Sequence, residues 1–239
     1  MWKKSLVSLI GVIGMVLMLV SCSSKFPGGI KSKGEPAPEP ANPITIQNPD
    51  TTPEPVITSY VVGQVGPAGG LIFYVDSADP NLKLLHAGET YLEAAPTDLS
   101  VSSKWGCYGT PIFNGAQGLI IGAGKQNTLD IIDVNNGCSE TNIAAKLCDA
   151  LNVDNGQIHF NGWFLPSQAE LNKMYEELYL PLNIGGFENS YYLSSSEDGD
   201  IRAWGQEFLP LNSFNSGAQS GVYKDKGQPL VNFRCIRAF

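Results

Sequence analysis

Few residues in this chain are spaced for chemistry. The two histidines, His86 and His159, stand in neither a His-x-x-x-His nor a Cys-x-x-Cys context, so a zinc site is not expected. One acidic cluster, Glu197, Asp198 and Asp200, offers carboxylates that with turn carbonyls form the oxygen-rich set Ca²⁺ prefers. The cluster also contains Asp198-Gly199, a preferred turn pair, and a solvated hairpin turn is the simpler account of it. Ser194, Ser195 and Ser196 supply hydroxyls, yet no histidine stands where it would serve them as a base. Trp204 can stack on a sugar, and Tyr192 is a second candidate contact for a ligand. A Trp in an Ala-Trp-x-x-x-Phe run equally packs a core. Gly66, Gly69 and Gly70 are followed by the strand pattern Leu71 to Val75, not by the Lys-Ser/Thr and helix of a phosphate loop. No catalytic set and no cofactor is expected from these residues.

The elements that would position them centre on Gly162 to Leu178. Pro166 holds Leu165 extended, Ser167 caps the first free amides, and Glu170 can reach back to the Ser167 amide, which is a capping box. Leu171, Met174, Tyr175 and Leu178 then form an apolar stripe, with Asn172, Lys173, Glu176 and Glu177 toward water. Two more helices are read, one after Asn127 through Val134 and one carrying Ile143, Ala144, Leu147, Cys148 and Leu151, started by Ser139 or Thr141. Strands are expected in two runs around a glycine-rich turn between Tyr60 and Asp76, at Leu82 to Leu85, from Tyr91, from Tyr191 to Glu197, from Ile201 to Phe208, and from Leu230 to Phe239. A long loop region occupies Ser100 to Asn127, and a polar Asn/Asp/Gly segment leads to Trp163.

The totals narrow the setting. The chain has 239 residues and a formal net charge of −8, from 23 acidic and 15 basic residues. Without a basic cluster it lacks the footprint that phosphate backbones demand, so nucleic acid is not an expected partner. A charged fraction of 16% with 26 glycines and 9 tyrosines fits a loop-rich, aromatic-lined domain outside the cytoplasm.

At the N-terminus Lys3 and Lys4 precede an apolar run from Leu6 to Val20, too short to span a bilayer comfortably, and Leu19-Val20-Ser21-Cys22 follows. This resembles a bacterial lipoprotein signal with its lipobox. The resemblance implies cleavage after residue 21, lipidation of Cys22 and anchoring in a membrane of the cell envelope. Several acyl chains anchor stably where one does not. Ser23, in place of Asp, points to the outer membrane. Residues 22–58 are polar and proline-dense, cannot form a core, and read as an extended tether for a domain at residues 59–239.

Within that domain Ala145-Lys-Leu-Cys148, Gly162-Trp-Phe-Leu-Pro-Ser-Gln-Ala-Glu-Leu171, Tyr192-Leu-Ser-Ser-Ser-Glu197, Ala203-Trp204 and Phe233-Arg-Cys-Ile-Arg237 occur in order. Together they resemble the Lcl C-terminal domain family, related to C-type-lectin-like and formylglycine-generating-enzyme folds. Leu193 and Phe164 depart from the Trp and Arg usual there. The resemblance implies an α+β, C-type-lectin-like fold with small twisted antiparallel sheets, two or three helices and long loops. With Cys22 set aside, four cysteines in an exported chain allow three pairings. The resemblance implies Cys148 with Cys235, from helix to final strand, which leaves Cys107 with Cys138. The motifs Glu-Pro-Asn, Gln-Pro-Asp and Trp-Asn-Asp of calcium-dependent sugar-binding lectins are absent from the sequence. The functional expectation is display of a binding or adhesion module for a glycan or protein ligand. The alternatives are a structural envelope lipoprotein, and an enzyme of the formylglycine-generating type, which would need a cysteine pair to hold copper.

Overall fold

The structure is a computed structural model that describes residues 59–99, 103–113, 115–181, 183–225 and 231–239. The expected signal segment 1–21, the lipidation site Cys22 and the tether to residue 58 lie outside the described residues. In chain order the elements are strands β1 (Leu71–Val75) and β2 (Tyr91–Ala94), helices α1 (Gly124–Ile132) and α2 (Ala144–Asp149), and strands β3 (Val153–Asn155), β4 (Ile158–Phe160) and β5 (Trp163–Phe164). Helix α3 (Gln168–Met174) runs directly into a π-helical turn, Tyr175–Tyr179, and strands β6 (Ser190–Glu197), β7 (Arg202–Phe208), β8 (Gln219–Tyr223), β9 (Val231–Asn232) and β10 (Ile236–Ala238) follow. The class is α+β. No helix among the described residues is long and apolar enough to cross a membrane.

Two four-stranded sheets organise the chain, in the orders β1-β2-β10-β5 and β8-β7-β6-β9. All strand pairs are antiparallel except β6 with β9, which is parallel. One buried cluster gathers Trp105, Trp163, Ile143, Phe233 and both disulfides; the other gathers Phe73, Leu171, Tyr175, Tyr192 and Phe208. The structure pairs Cys148 with Cys235 and Cys107 with Cys138, with Cα separations of 5.4 and 5.6 Å, the pairing the resemblance implies.

The capped helix forms as its sequence dictates. Glu170 N donates to Ser167 Oγ at 3.2 Å, and Ser167 N donates to Glu170 Oε2 at 2.7 Å. Leu171, Met174, Tyr175 and Leu178 are buried, and β5 delivers the chain to the cap. The last turn widens to π geometry, a departure from the single α-helix expected.

Other elements differ from the sequence reading for identifiable reasons. Only the second of the two runs around the glycines is a strand. The first curls back, with Gly63 at φ +83° and Val65 alone bridging to Leu71. The glycine turn there wraps a carboxylate of the protein itself: Glu93 Oε1 accepts from Ala68 N and Gly70 N, while Glu93 Oε2 accepts from Arg237. Leu82 to Leu85 is not a strand, because the Asp76 carboxylate captures the Leu84 and Leu85 amides and Leu82 and Leu84 face solvent. Helix α1 starts before Asn127, whose side chain is spent on both backbone groups of Gly118. Helix α2 starts after Ile143, which is held in a bridge to Lys104, so neither Ser139 nor Thr141 caps it. The polar segment before Trp163 contains the β3–β4 hairpin, turned at Gly156-Gln157 with Gly156 at φ +69°. The C-terminal run is two strands in different sheets, and Phe233 to Cys235 crosses between them fully enclosed.

Candidate functional site

Several sequence candidates lie inside the protein. Tyr192 is fully buried; its hydroxyl donates to Asp98 Oδ2 at 2.6 Å and accepts from Glu188 N, so it has no surface to offer a ligand. Burial and the Asp98 charge push its phenol well above the ordinary tyrosine range. Ser194, Ser195 and Ser196 are equally enclosed, and their hydroxyls donate to the carbonyls of Trp204, Pro166 and Gly118. His86 is exposed. His159 lies on the exposed β3–β4 hairpin with its Nδ1 at 2.5 Å from Asp154 Oδ1.

The acidic cluster does not converge on a cation site. Glu197 points inward, where its Oε1 accepts from Ile112 N and from Lys224 Nζ, and Lys224 is itself sealed from solvent against the Trp105 ring. Asp198 turns the other way and pairs with Arg202. Asp200 contributes its backbone carbonyl to Gly109 N. Alternation along a strand end separates neighbouring side chains onto opposite faces, which is why adjacency in sequence gives no common site here. Among the described residues the one grouping with metal-ligand spacing is Cys107, Cys138 and Glu140, and its two sulfurs are already joined.

Of the two aromatic ligand candidates, Trp204 is the one that reaches the surface, half-buried on β7. It faces Gly221 across the β7–β8 ladder, and the next pair along the same face is Arg202 with Tyr223. Asp198 Oδ2 lies 3.1 Å from Arg202 Nε. A β-carbon at Gly221 would overlap the Asp198 carboxylate and crowd Arg202, so this ion pair lies across the glycine. Tyr223 and Tyr108 are each 47% exposed, with ring centroids 6.4 Å apart. The Tyr108 loop is fastened by Gly109 N to Asp200 O at 3.0 Å, by Cys107 N to Glu140, and by the Cys107–Cys138 bridge. The result is a short platform with an indole at one end, two phenol rings at the other, and a carboxylate–guanidinium fork between them.

The platform holds no nucleophile paired with a base. It offers exposed ring faces beside the donors of Arg202 and the acceptors of Asp198. Tyr108, Arg202, Gly221 and Tyr223 are not legible as site residues in the sequence. The Ser-Gly-Val-Tyr run of β8 is a weak strand signal, and a glycine opposite a tryptophan acquires meaning only through the register that pairs them.

A second feature missed in sequence is the environment of Glu170. Besides completing the cap, its carboxylate accepts from Gly122 N at 2.8 Å, tying the loop before α1 to α3. Burial pushes its pKa up to about 7 in spite of the amide donors, which favour the anion. It is wholly enclosed and reaches no surface site. No protein-family model matches this chain, and no curated protein matches it.

Proposed function

We propose that this chain is a lipid-anchored cell-envelope protein, of the outer membrane, that displays a C-type-lectin-like binding module, and that the module takes a glycan on the β7–β8 platform. The observation that carries this reading is the Asp198–Arg202 pair laid across Gly221 between Trp204 and Tyr223. A pyranose ring has one face of C–H groups and a rim of hydroxyls. The C–H face packs on an indole or phenol ring, and the fork supplies an acceptor and a donor for adjacent hydroxyls. The aromatic residues carry most of the contact area, while the fork orients the ring.

Support for a binding module over the formylglycine-generating alternative comes from the cysteines. That chemistry needs a free pair to hold copper, whereas the four described cysteines form two disulfides. Anchoring rests on the lipobox, and the Pro-rich tether is suited to holding a domain away from a membrane.

The deciding experiment is a glycan and matrix-protein array probed with the full mature chain, together with Trp204→Ala and Tyr223→Ala. Saturable binding to a glycan, weakened about tenfold or more in both variants at unchanged melting temperature, is expected. No glycan binding, or binding to a matrix protein that neither variant alters, overturns the assignment. Cys22→Ser should abolish incorporation of a labelled fatty acid; retention of the label would overturn the anchoring.

A further inference from the structure

A separate cleft lies where the first sheet meets the loop after the π-helical turn. It encloses about 230 Å³, and its wall includes Gly70, Leu71, Leu178, Ile184, Gly185 and Arg234. Glycine is required at two of these positions. A β-carbon at Gly70 would overlap the Ala94 carbonyl oxygen, and one at Gly185 would overlap the Phe187 ring. The apolar part of the wall is aliphatic.

Arg234 is 2% exposed, yet it forms part of this wall. Three sides of its guanidinium are committed. Nε donates to Asp98 Oδ1 at 2.5 Å, Nη1 donates to the carbonyls of Ala95 and Gly185 at 3.1 Å each, and one face lies 4.3 Å over the Phe187 ring. Nη2 has no hydrogen-bond partner among the described residues. Among the described residues the buried side-chain nitrogen left without a partner is Arg237 Nε, so Arg234 Nη2 is not sealed off: it keeps access to the cleft, where a ligand or water completes it. Asp98 is held in place by Tyr192, so the arginine cannot swing to satisfy that edge without breaking a buried chain of hydrogen bonds.

We propose that this cleft binds a small aliphatic carboxylate, with its oxygens on Arg234 Nη2 and its alkyl part against Leu71, Leu178 and Ile184. The planar fork of a guanidinium matches a carboxylate, and one arginine can serve two carboxylates on different edges. The volume is below that of pockets for drug-sized molecules, which restricts the ligand to a short chain. The site is independent of the β7–β8 platform.

The test is ¹⁵N-arginine labelling of the full mature chain, which has three arginines, Arg202, Arg234 and Arg237. The Arg234 side-chain signals, assigned through contacts to the Phe187 ring, are followed as isobutyrate is added to about 20 mM, well above the order of 1 mM expected of so few contacts. A saturable shift confined to Arg234, absent with isobutyramide and weakened at least about tenfold in a folded Ile184→Trp variant, is the expected result. No saturable shift, an equal response to the neutral amide, or full retention in Ile184→Trp overturns the proposal.

Discussion

The Lys224 ammonium lies 2.5 Å from Glu197 Oε1, and both side chains are sealed from solvent beneath Trp105. The pair joins the end of β6 to the end of β8 and is further bonded to Thr110 and Ile112 of the long loop. Two charges taken out of water gain little net stability from each other, but either one left alone is expensive. Lys224→Met should therefore lower unfolding free energy by about 3–5 kcal/mol in urea denaturation. The double variant Lys224→Met with Glu197→Gln should recover most of that loss, and a double variant as unstable as the single would contradict the coupling.

Glu170 makes stability depend on pH in an unusual direction. Its carboxyl titrates near 4.5 when unfolded and at about 7 when folded. Between those values the folded protein holds a proton the unfolded chain has released, so this contribution is full below pH 4.5, declines as pH rises toward 7, and is flat above. The decline amounts to about 3 kcal/mol. Denaturant titrations at pH 5 and pH 8 on the wild type and Glu170→Gln isolate it: the difference between the two proteins should shrink or reverse as pH rises. Parallel pH profiles for both proteins would refute the assignment.

Two glycines should respond oppositely to the same change. At Gly70 the added β-carbon meets the backbone carbonyl of Ala94, which cannot move without disturbing the β1–β2 ladder, so Gly70→Ala should cost about 2 kcal/mol or more. At Gly221 it meets the ends of the Asp198 and Arg202 side chains, which can swing into solvent. Gly221→Ala should leave the melting temperature nearly unchanged, a cost within about 0.5 kcal/mol. By displacing the fork it should weaken glycan binding about tenfold or more, read on the array and by calorimetry.

The bridges close loops of different span, 87 residues for Cys148–Cys235 and 31 for Cys107–Cys138. On the loop-entropy account they stabilise by about 4.6 and about 3.7 kcal/mol. Paired serine substitutions should reproduce that order in urea unfolding. Loss of Cys107–Cys138 should also free the Tyr108 loop and reduce glycan affinity, whereas loss of Cys148–Cys235 should act on stability alone.

Local agreement decides what could be read from sequence. The Ser167–Glu170 cap and the apolar stripe behind it concern neighbours along the chain, and they form as written. The β3–β4 hairpin turns at Gly156-Gln157, offset by one residue from the Asn155-Gly156 pair, and its exposed, polar strands hide the alternation that would mark them. The inward turn of Glu197 is not legible because the lysine that makes its burial tolerable lies 27 residues on, just past a strand with little pattern. The C-terminal run alternates as one strand would, and only the presence of two sheets splits it. The platform combines these difficulties, since its floor is a glycine and its members come from a loop, a turn and two strands.

The position of β10 carries a consequence for assembly. It sits inside its sheet, between β2 and β5, and the Arg237–Glu93 bond spans 144 residues of chain. The strand that binds the two halves of that sheet is thus supplied from the far end of the polypeptide, and the loop that must close is among the longest the domain can make. Such pairing is slow, because chain entropy is lost before contacts compensate. A chain threaded through a membrane from its N-terminus would cross with this sheet still open, and would acquire its rigidity only on the far side.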